Sequence, residues 1–293
     1  MSRRLIGDGV LLFVTLCWGI TFPLVGNAMH TVDPFVFVMV RFLFAAVILL
    51  PFIFSEIKNG TKAVLIAGII IGALNAVTYI SQTIGMKTVS SAEGSFITGV
   101  SVVLVPFILP IFSLGMPSKK DVLCSMLCLL GLFFLVGSDF SHIHSGAAWV
   151  LLCALAVAIT IVYLQKVSAK LPSLGLLAFY QIFFTAVFTA PFTVGKSFQP
   201  LLTSEILGAL SFCAIFATSI ALLLQTKYQH YTTANKAAMI FCFEPIFGSL
   251  FGYLINGEKI SWAILVGGAC ILSGVVLSFV SINSNKHHLE FEA

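Results

Sequence analysis

The sequence predicts an all-α integral membrane protein with ten transmembrane helices, arranged as two inverted five-helix repeats. Three observations predict it: a composition too apolar for a water-soluble globule, ten apolar runs of membrane-crossing length, and an internal repeat at an offset near 140 residues.

Composition sets the solvent. Of 293 residues, 59% are hydrophobic and only 9% charged, with a mean hydropathy of +1.09. An average soluble domain carries about 25% charge. Eleven acids and fifteen bases are too few to cover a soluble globule of this size, so much of the surface must face lipid. A helix needs roughly 20 mostly apolar residues to cross a bilayer core. Such runs lie near 5–26, 33–54, 63–84, 92–113, 121–138, 146–165, 174–195, 204–226, 235–255 and 260–282. Short joins between them hold most of the Lys, Asp and His. Period-2 alternation is absent, which excludes an outer-membrane barrel.

The first run follows Arg3 and Arg4, yet no small-x-small cleavage site follows cleanly and Asp8 interrupts its start. It reads as a retained span, not a signal peptide. Seven cysteines fall inside the runs, an odd number that points to free apolar packers and not to a disulfide framework. Cys124 and Cys128 share a helix face without a second ligand pair. The short loop with Asp139, His142 and His144 is no better as a site. No metal and no cofactor is expected.

Basic residues orient the chain. With the N-terminus inside, the inner joins hold Arg3, Arg4, Lys58, Lys62, Lys119, Lys120, Lys166, Lys170, Lys227, Lys236 and Lys286. The outer joins hold only Lys87, Lys196 and Lys259, while Arg41 lies within a span. This bias predicts two cytoplasmic termini and an even number of crossings in the cell's cytoplasmic (inner) membrane. The bases sit beside the membrane, so nucleic acid is not an expected partner.

The repeat divides the chain at 5–138 and 145–282, leaving a polar tail at 283–293. Arg41, Ala46, Val47, Pro51 and Phe52 stand opposite Gln181, Ala186, Val187, Pro191 and Phe192. Ile20-Thr21 matches Ile159-Thr160, Gln82-Thr83 matches Gln225-Thr226, and Ser91-Ala92 matches Thr233-Ala234. Five spans is an odd number, so the second copy must enter from the opposite side. Inverted repeats are a transporter design, because exchanging the conformations of the halves opens a central site to each side in turn.

Polar groups at membrane depth are the candidates for that site. An ionisable side chain there costs at least ~2.5 kcal/mol and needs a partner or a wet cavity. Arg41 lies roughly 12 Å into its span. It is open to two readings: an anion site that grips a substrate carboxylate through its guanidinium, or an anchor bonded to carbonyls of neighbouring helices. Glu244 precedes Pro245, whose missing N–H loosens the helix. A carboxyl there can take up and release a proton, or it can serve as a structural acid at a kink. Asn75, Tyr79 and Gln82 fall on one face of the third span. Gln225 approaches from the other half, and Trp18, Thr21, Tyr163, Tyr180 and Gln181 add aromatic and polar groups at similar depth. Such a mixture suits a small zwitterionic or amphipathic solute.

Several motifs resemble the EamA-type family of the drug/metabolite transporter superfamily. They are Cys17-Trp18-Gly19-Ile20-Thr21-Phe22-Pro23, Pro34 with Arg41-Phe42 and Ala45, and Phe96-Ile97-Thr98-Gly99 leading to Val105-Pro106. The clearest are Thr233-Ala234, Glu244-Pro245, Gly257-Glu258, Gly267 and Gly274. The resemblance implies ten helices in inverted halves and passage of small metabolites, often amino acids. The first half departs from it, with Pro106 preceded by Val105 and no Glu-Pro pair. The expectation is therefore a non-enzymatic secondary transporter, exporting an amino acid or related compound by alternating access and coupled to protons. A small-molecule substrate and lipid are its partners, with homodimerisation left open. The alternatives are a channel and, lacking any paired acidic motif, an intramembrane enzyme.

Overall fold

No water reaches the hydrocarbon interior, so backbone groups there must pair within their own segment. The computed structural model describes residues 3–136, 145–259 and 262–279, and among these every regular element is helical. The polar tail and the Asp139–His144 loop lie outside the described residues.

In the first half, α1 (Arg3–Ala28), α2 (Pro34–Ile53) and α3 (Lys62–Gly85) are followed by the pair α4 (Ser91–Gly99) and α5 (Ser101–Ile108), then α6 (Lys119–Val136). In the second, α7 (Ser145–Ser168) and α8 (Leu174–Thr189) precede α9 (Ser204–Ala214), a π-helical turn at Ile215–Ile220, and α10 (Ala221–Tyr228). The pair α11 (Ala234–Phe241) and α12 (Glu244–Asn256) and then α13 (Trp262–Phe279) complete it. Among the described residues, eight helical stretches are long and apolar enough to cross a membrane. The two other predicted runs form α6, whose first turn carries Lys119, Lys120 and Asp121, and α13. Large apolar side chains such as Phe52, Phe107, Ile111 and Phe192 are exposed, as a lipid-facing surface requires. The chain is a multi-pass membrane protein.

Small residues let the helices meet. Gly131 of α6 faces the Gly267 carbonyl and Ile271 of α13, and Gly274 faces Cys124 and Cys128. Partner numbers fall as α6 ascends, so α6 and α13 run antiparallel. In α3, Gly68 meets Tyr180 and Gly72 meets Phe184 of α8. Its far end, at Gly85, meets Gly146 and Val150 of α7. The cysteines are free, and all but Cys270 are buried.

Helices α2 and α8 are clamped at both ends. Asp33 caps α2 by accepting from the N–H groups of Phe35 (2.9 Å) and Val36 (3.4 Å), and it also binds Lys196, beyond α8, at 2.7 Å. At the opposite end Glu56, beyond α2, accepts from the Ser173 hydroxyl (2.6 Å) and the Gly175 N–H (3.1 Å) at the start of α8. Lys227 reaches the same carboxylate at 3.4 Å. These contacts make α2 and α8 antiparallel. Asp33 and Ser173 are 140 residues apart, and so are Glu56 and Lys196.

The α6–α13 contact yields a prediction. A Cβ built on Gly131 lies 2.5 Å from the Gly267 carbonyl, whereas one on Gly9 meets nothing within 4 Å. Gly131→Leu should therefore destabilise the protein by about 1–3 kcal/mol, and Gly9→Leu should be neutral. Thermal unfolding of both variants in detergent micelles checks the difference.

Candidate functional site

Among the described residues, three of the predicted runs, the fourth, eighth and ninth, are interrupted in their interior. In the fourth run the ladder breaks at Val100, where the Val100 N–H reaches only three residues back to Ile97 (3.2 Å) and Val103 bonds Val100 (3.0 Å). In the ninth it breaks at Cys242-Phe243, just ahead of Glu244 and Pro245. There Phe243 bonds Ile240 (3.1 Å), and Pro245 has no N–H to offer. Aligning Ser91-Ala92 with Thr233-Ala234 superposes Val100 on Cys242, so the breaks occupy equivalent places in the two halves. The break in the first half lies upstream of Pro106, between Gly99 and Ser101.

The third interruption is the π turn in the eighth run. Thr218 and Ser219 return their hydroxyls to the carbonyls five residues back, Cys213 at 2.7 Å and Ala214 at 3.0 Å. Ala217 then accepts from the Trp18 indole N–H at 3.1 Å and from an Arg41 guanidinium N–H at 3.4 Å. Arg41 Nε donates to Thr218 Oγ1 at 2.8 Å. Ser219 also donates to the Ala45 carbonyl at 2.9 Å, binding α2 to the turn.

Beside the breaks in the fourth and ninth runs lies a cavity walled by both polar and apolar side chains. Its volume, about 50 Å³ of space for water centres, holds roughly three to five waters at ~10–15 Å³ each. Trp18 and Thr21 of α1 line it, with Asn75, Tyr79 and Gln82 of α3. Gln225 and Glu244 come from the second half. The Gln82 amide faces Thr98 at 3.5 Å, and the Gln225 amide donates to Gln229 at 3.0 Å. Gln229 in turn donates to the Ile161 carbonyl at 2.8 Å. Glu244 is only 8% exposed, and its carboxyl makes no hydrogen bond or ion pair with the described residues.

Four expected lining residues sit elsewhere. Arg41 is 2% exposed behind Tyr79, with its guanidinium 4.8 Å from the ring centre, and its hydrogen bonds go to the π turn. That is the geometry of an anchor, not of an anion site open to solute. Gln181 uses its amide between Asn75 (3.3 Å) and Thr226 (2.7 Å), so it positions a lining residue without reaching the cavity. Tyr163 packs its ring edge against Phe112 at 5.9 Å. Tyr180 fills the space left by Gly68. Apolar periodicity could not fix which face of these nearly all-apolar helices turns inward.

Lining groups that sequence reasoning missed include Thr78, Ser101, Val157, Thr160, Leu222 and Phe241. Thr160 carried a signal, since Ile159-Thr160 repeats Ile20-Thr21 and both threonines reach the cavity. Thr78 lies on the Asn75 side of α3, and its buried hydroxyl oxygen has no partner among the described residues.

A multi-pass helical protein with a polar cavity at the meeting of broken helices belongs to the class that passes small solutes across membranes. Residues 5–137 and 144–280 match the EamA-like transporter family, and the chain belongs to that family. An Archaeoglobus fulgidus protein named an uncharacterized transporter is 32% identical over 94% of this chain and 86% of its own. Bacillus subtilis YoaV, also named an uncharacterized transporter, is 25% identical over 94% and 97%. The uncharacterized inner membrane transporter YicL of Salmonella typhimurium is 25% identical over 85% of each chain. A solved crystal structure aligns with a TM-score of 0.73 over 93% of this chain and 96% of its own, at 15% identity, a likeness of fold alone.

The π turn gives the second prediction. Thr218→Val removes the acceptor of Arg41 Nε and should cost about 1–3 kcal/mol. Thr78→Val, at a hydroxyl without a partner, should cost nothing or stabilise. Unfolding in mixed micelles measures both.

Proposed function

We propose that this protein is a secondary transporter of the cytoplasmic (inner) membrane that exports an amino acid or related small compound by alternating access. In this reading ten spans form two inverted repeats, at 5–138 and 145–282, and both termini face the cytoplasm. The observation that carries it is the pair of helix breaks at equivalent places in the two halves, both bordering one polar cavity. Broken helices around a central site are the means by which inverted-repeat transporters hold a solute. Further support comes from the antiparallel pairs α2–α8 and α6–α13, each formed by corresponding helices of the two halves. Two family matches in tandem and the inner-membrane name of one relative agree with it.

The closures at the two ends of the cavity differ in chemistry. Towards the Asp33 end, Gly19 packs on Phe247 while Gly248 packs on Ser95 and Phe22, a dry contact of α1, α4 and α12. Towards the Glu56 end, amides close the way: Gln229 to the Ile161 carbonyl, and Gln165 to the Thr232 carbonyl at 3.0 Å. Alternating access opens one closure at a time. Glu244 sits between them, at the start of α12, and serves as the proton carrier. A carboxyl that exchanges its proton with whichever side is open couples the proton gradient to solute movement.

Proteoliposomes loaded with radiolabelled amino acids and their decarboxylated amines test this reading. At least one solute should leave the vesicles saturably, and faster under an imposed proton gradient. Glu244→Gln should abolish the acceleration, by at least tenfold, with elution profile and melting temperature unchanged. Equal acceleration in that variant removes the carboxyl from coupling, and absence of saturable flux for every solute overturns the transporter reading.

A further inference from the structure

The charge of the cavity wall bears on what the cavity accepts. Among the described residues, Glu244 is the only carboxylate on the lining, and no Lys, Arg or His lines it. Its carboxyl is buried and unpaired among the described residues, so whatever neutralises it must come from inside the cavity. An uncompensated buried charge is costly, and a proton or a ligand cation relieves it. The nearest buried cation, Arg41, lies behind the Tyr79 ring with its hydrogen bonds directed to Thr218 and Ala217. Arg41 is not on the lining, so among the described residues no cationic side chain lines the cavity to meet a carboxylate.

We infer that the cavity recognises its solute by a primary amine and not by a carboxylate. This deepens the transport reading and rests on it for the step of crossing, but not for binding. The ammonium group sits against Glu244. The Trp18 and Phe241 rings, whose centres are 5.2 Å apart, form an aromatic wall of the same cavity, and an aromatic face attracts a cation. Val157, Ile161 and Leu222 provide an apolar side for a short carbon chain. The amide of Gln225 and the hydroxyl of Thr160 suit a neutral polar group at the other end. Among amino-acid-like compounds, amines and amino-acid amides fit this wall, and acids lacking an amine do not. One carboxyl then serves both cargo and proton, and the two exclude each other there.

Isobutylamine, isobutyramide and isobutyrate test this, since they share a branched carbon end and differ in charge: positive, neutral and negative. Their size matches the small cavity. Trp149 and Trp262 are exposed, so replacing both with Phe leaves Trp18 as the only tryptophan and a fluorescence reporter inside the site. In nanodiscs, isobutylamine should bind at least tenfold more tightly than isobutyrate, with isobutyramide close to isobutyrate. Glu244→Gln should bring isobutylamine down to the level of the amide. Isobutyrate binding as tightly as the amine overturns the inference, and so does a Trp18 signal that answers to none of the three. Amine binding without flux in vesicles leaves the inference standing and overturns the transport reading instead.

Discussion

A hydrocarbon interior offers no hydrogen bonds, so each break in a helix must be repaired by the protein itself. This constraint explains where the polar groups of the chain are. The π turn of the eighth run is repaired by Thr218, Ser219, Trp18 and Arg41, drawn from three different spans. The breaks after Gly99 and Phe241 border the cavity that Thr21, Asn75, Gln82 and Gln225 also line. A cavity results because such repairs need room and partners, and both are gathered on one level of the bundle. Arg41 illustrates the division of labour. It is the largest fully buried side chain, and it holds the π turn and the face of Tyr79 in place instead of meeting solute.

Much of this was legible in the chain beforehand. Among the described residues, eight of the apolar runs coincide with helical stretches long and apolar enough to cross a membrane, because length and hydropathy are what a bilayer selects. The inward face of α3 was legible because Asn75, Tyr79 and Gln82 are polar groups at helical spacing on an otherwise apolar helix. The break ahead of Glu244 was legible through Pro245. The break at Val100 was not, because Gly99-Val100-Ser101 has no proline and its neighbours are unremarkable helix residues. The π turn was also hidden, since a change of hydrogen-bond register leaves composition untouched. Tyr163 and Tyr180 looked like lining because they are polar-tipped aromatics at the right depth. Depth along a helix does not decide rotation about it, and their rings turned to Phe112 and Gly68.

The two halves share a skeleton but not a chemistry. Both break the helix at the same place, yet one break presents Ser101 and the other Glu244. Both second helices begin with an oxygen cap, Asp33 in one and Ser173 in the other. The cavity is thus lined from both halves but asymmetric in charge, with its single acid among the described residues on the second half.

The clamps at the rims of α2 and α8 carry that asymmetry to the membrane surfaces. An acid on the first half meets Lys196 at one rim, and another meets Ser173 and Lys227 at the other. A pairing of two first halves would instead set Asp33 beside a second Glu56, carboxylate against carboxylate at both rims. Two second halves would leave Lys196 facing Ser173 with no acid at all. At these rims the charges of each half are thus better matched to the other half than to a copy of itself.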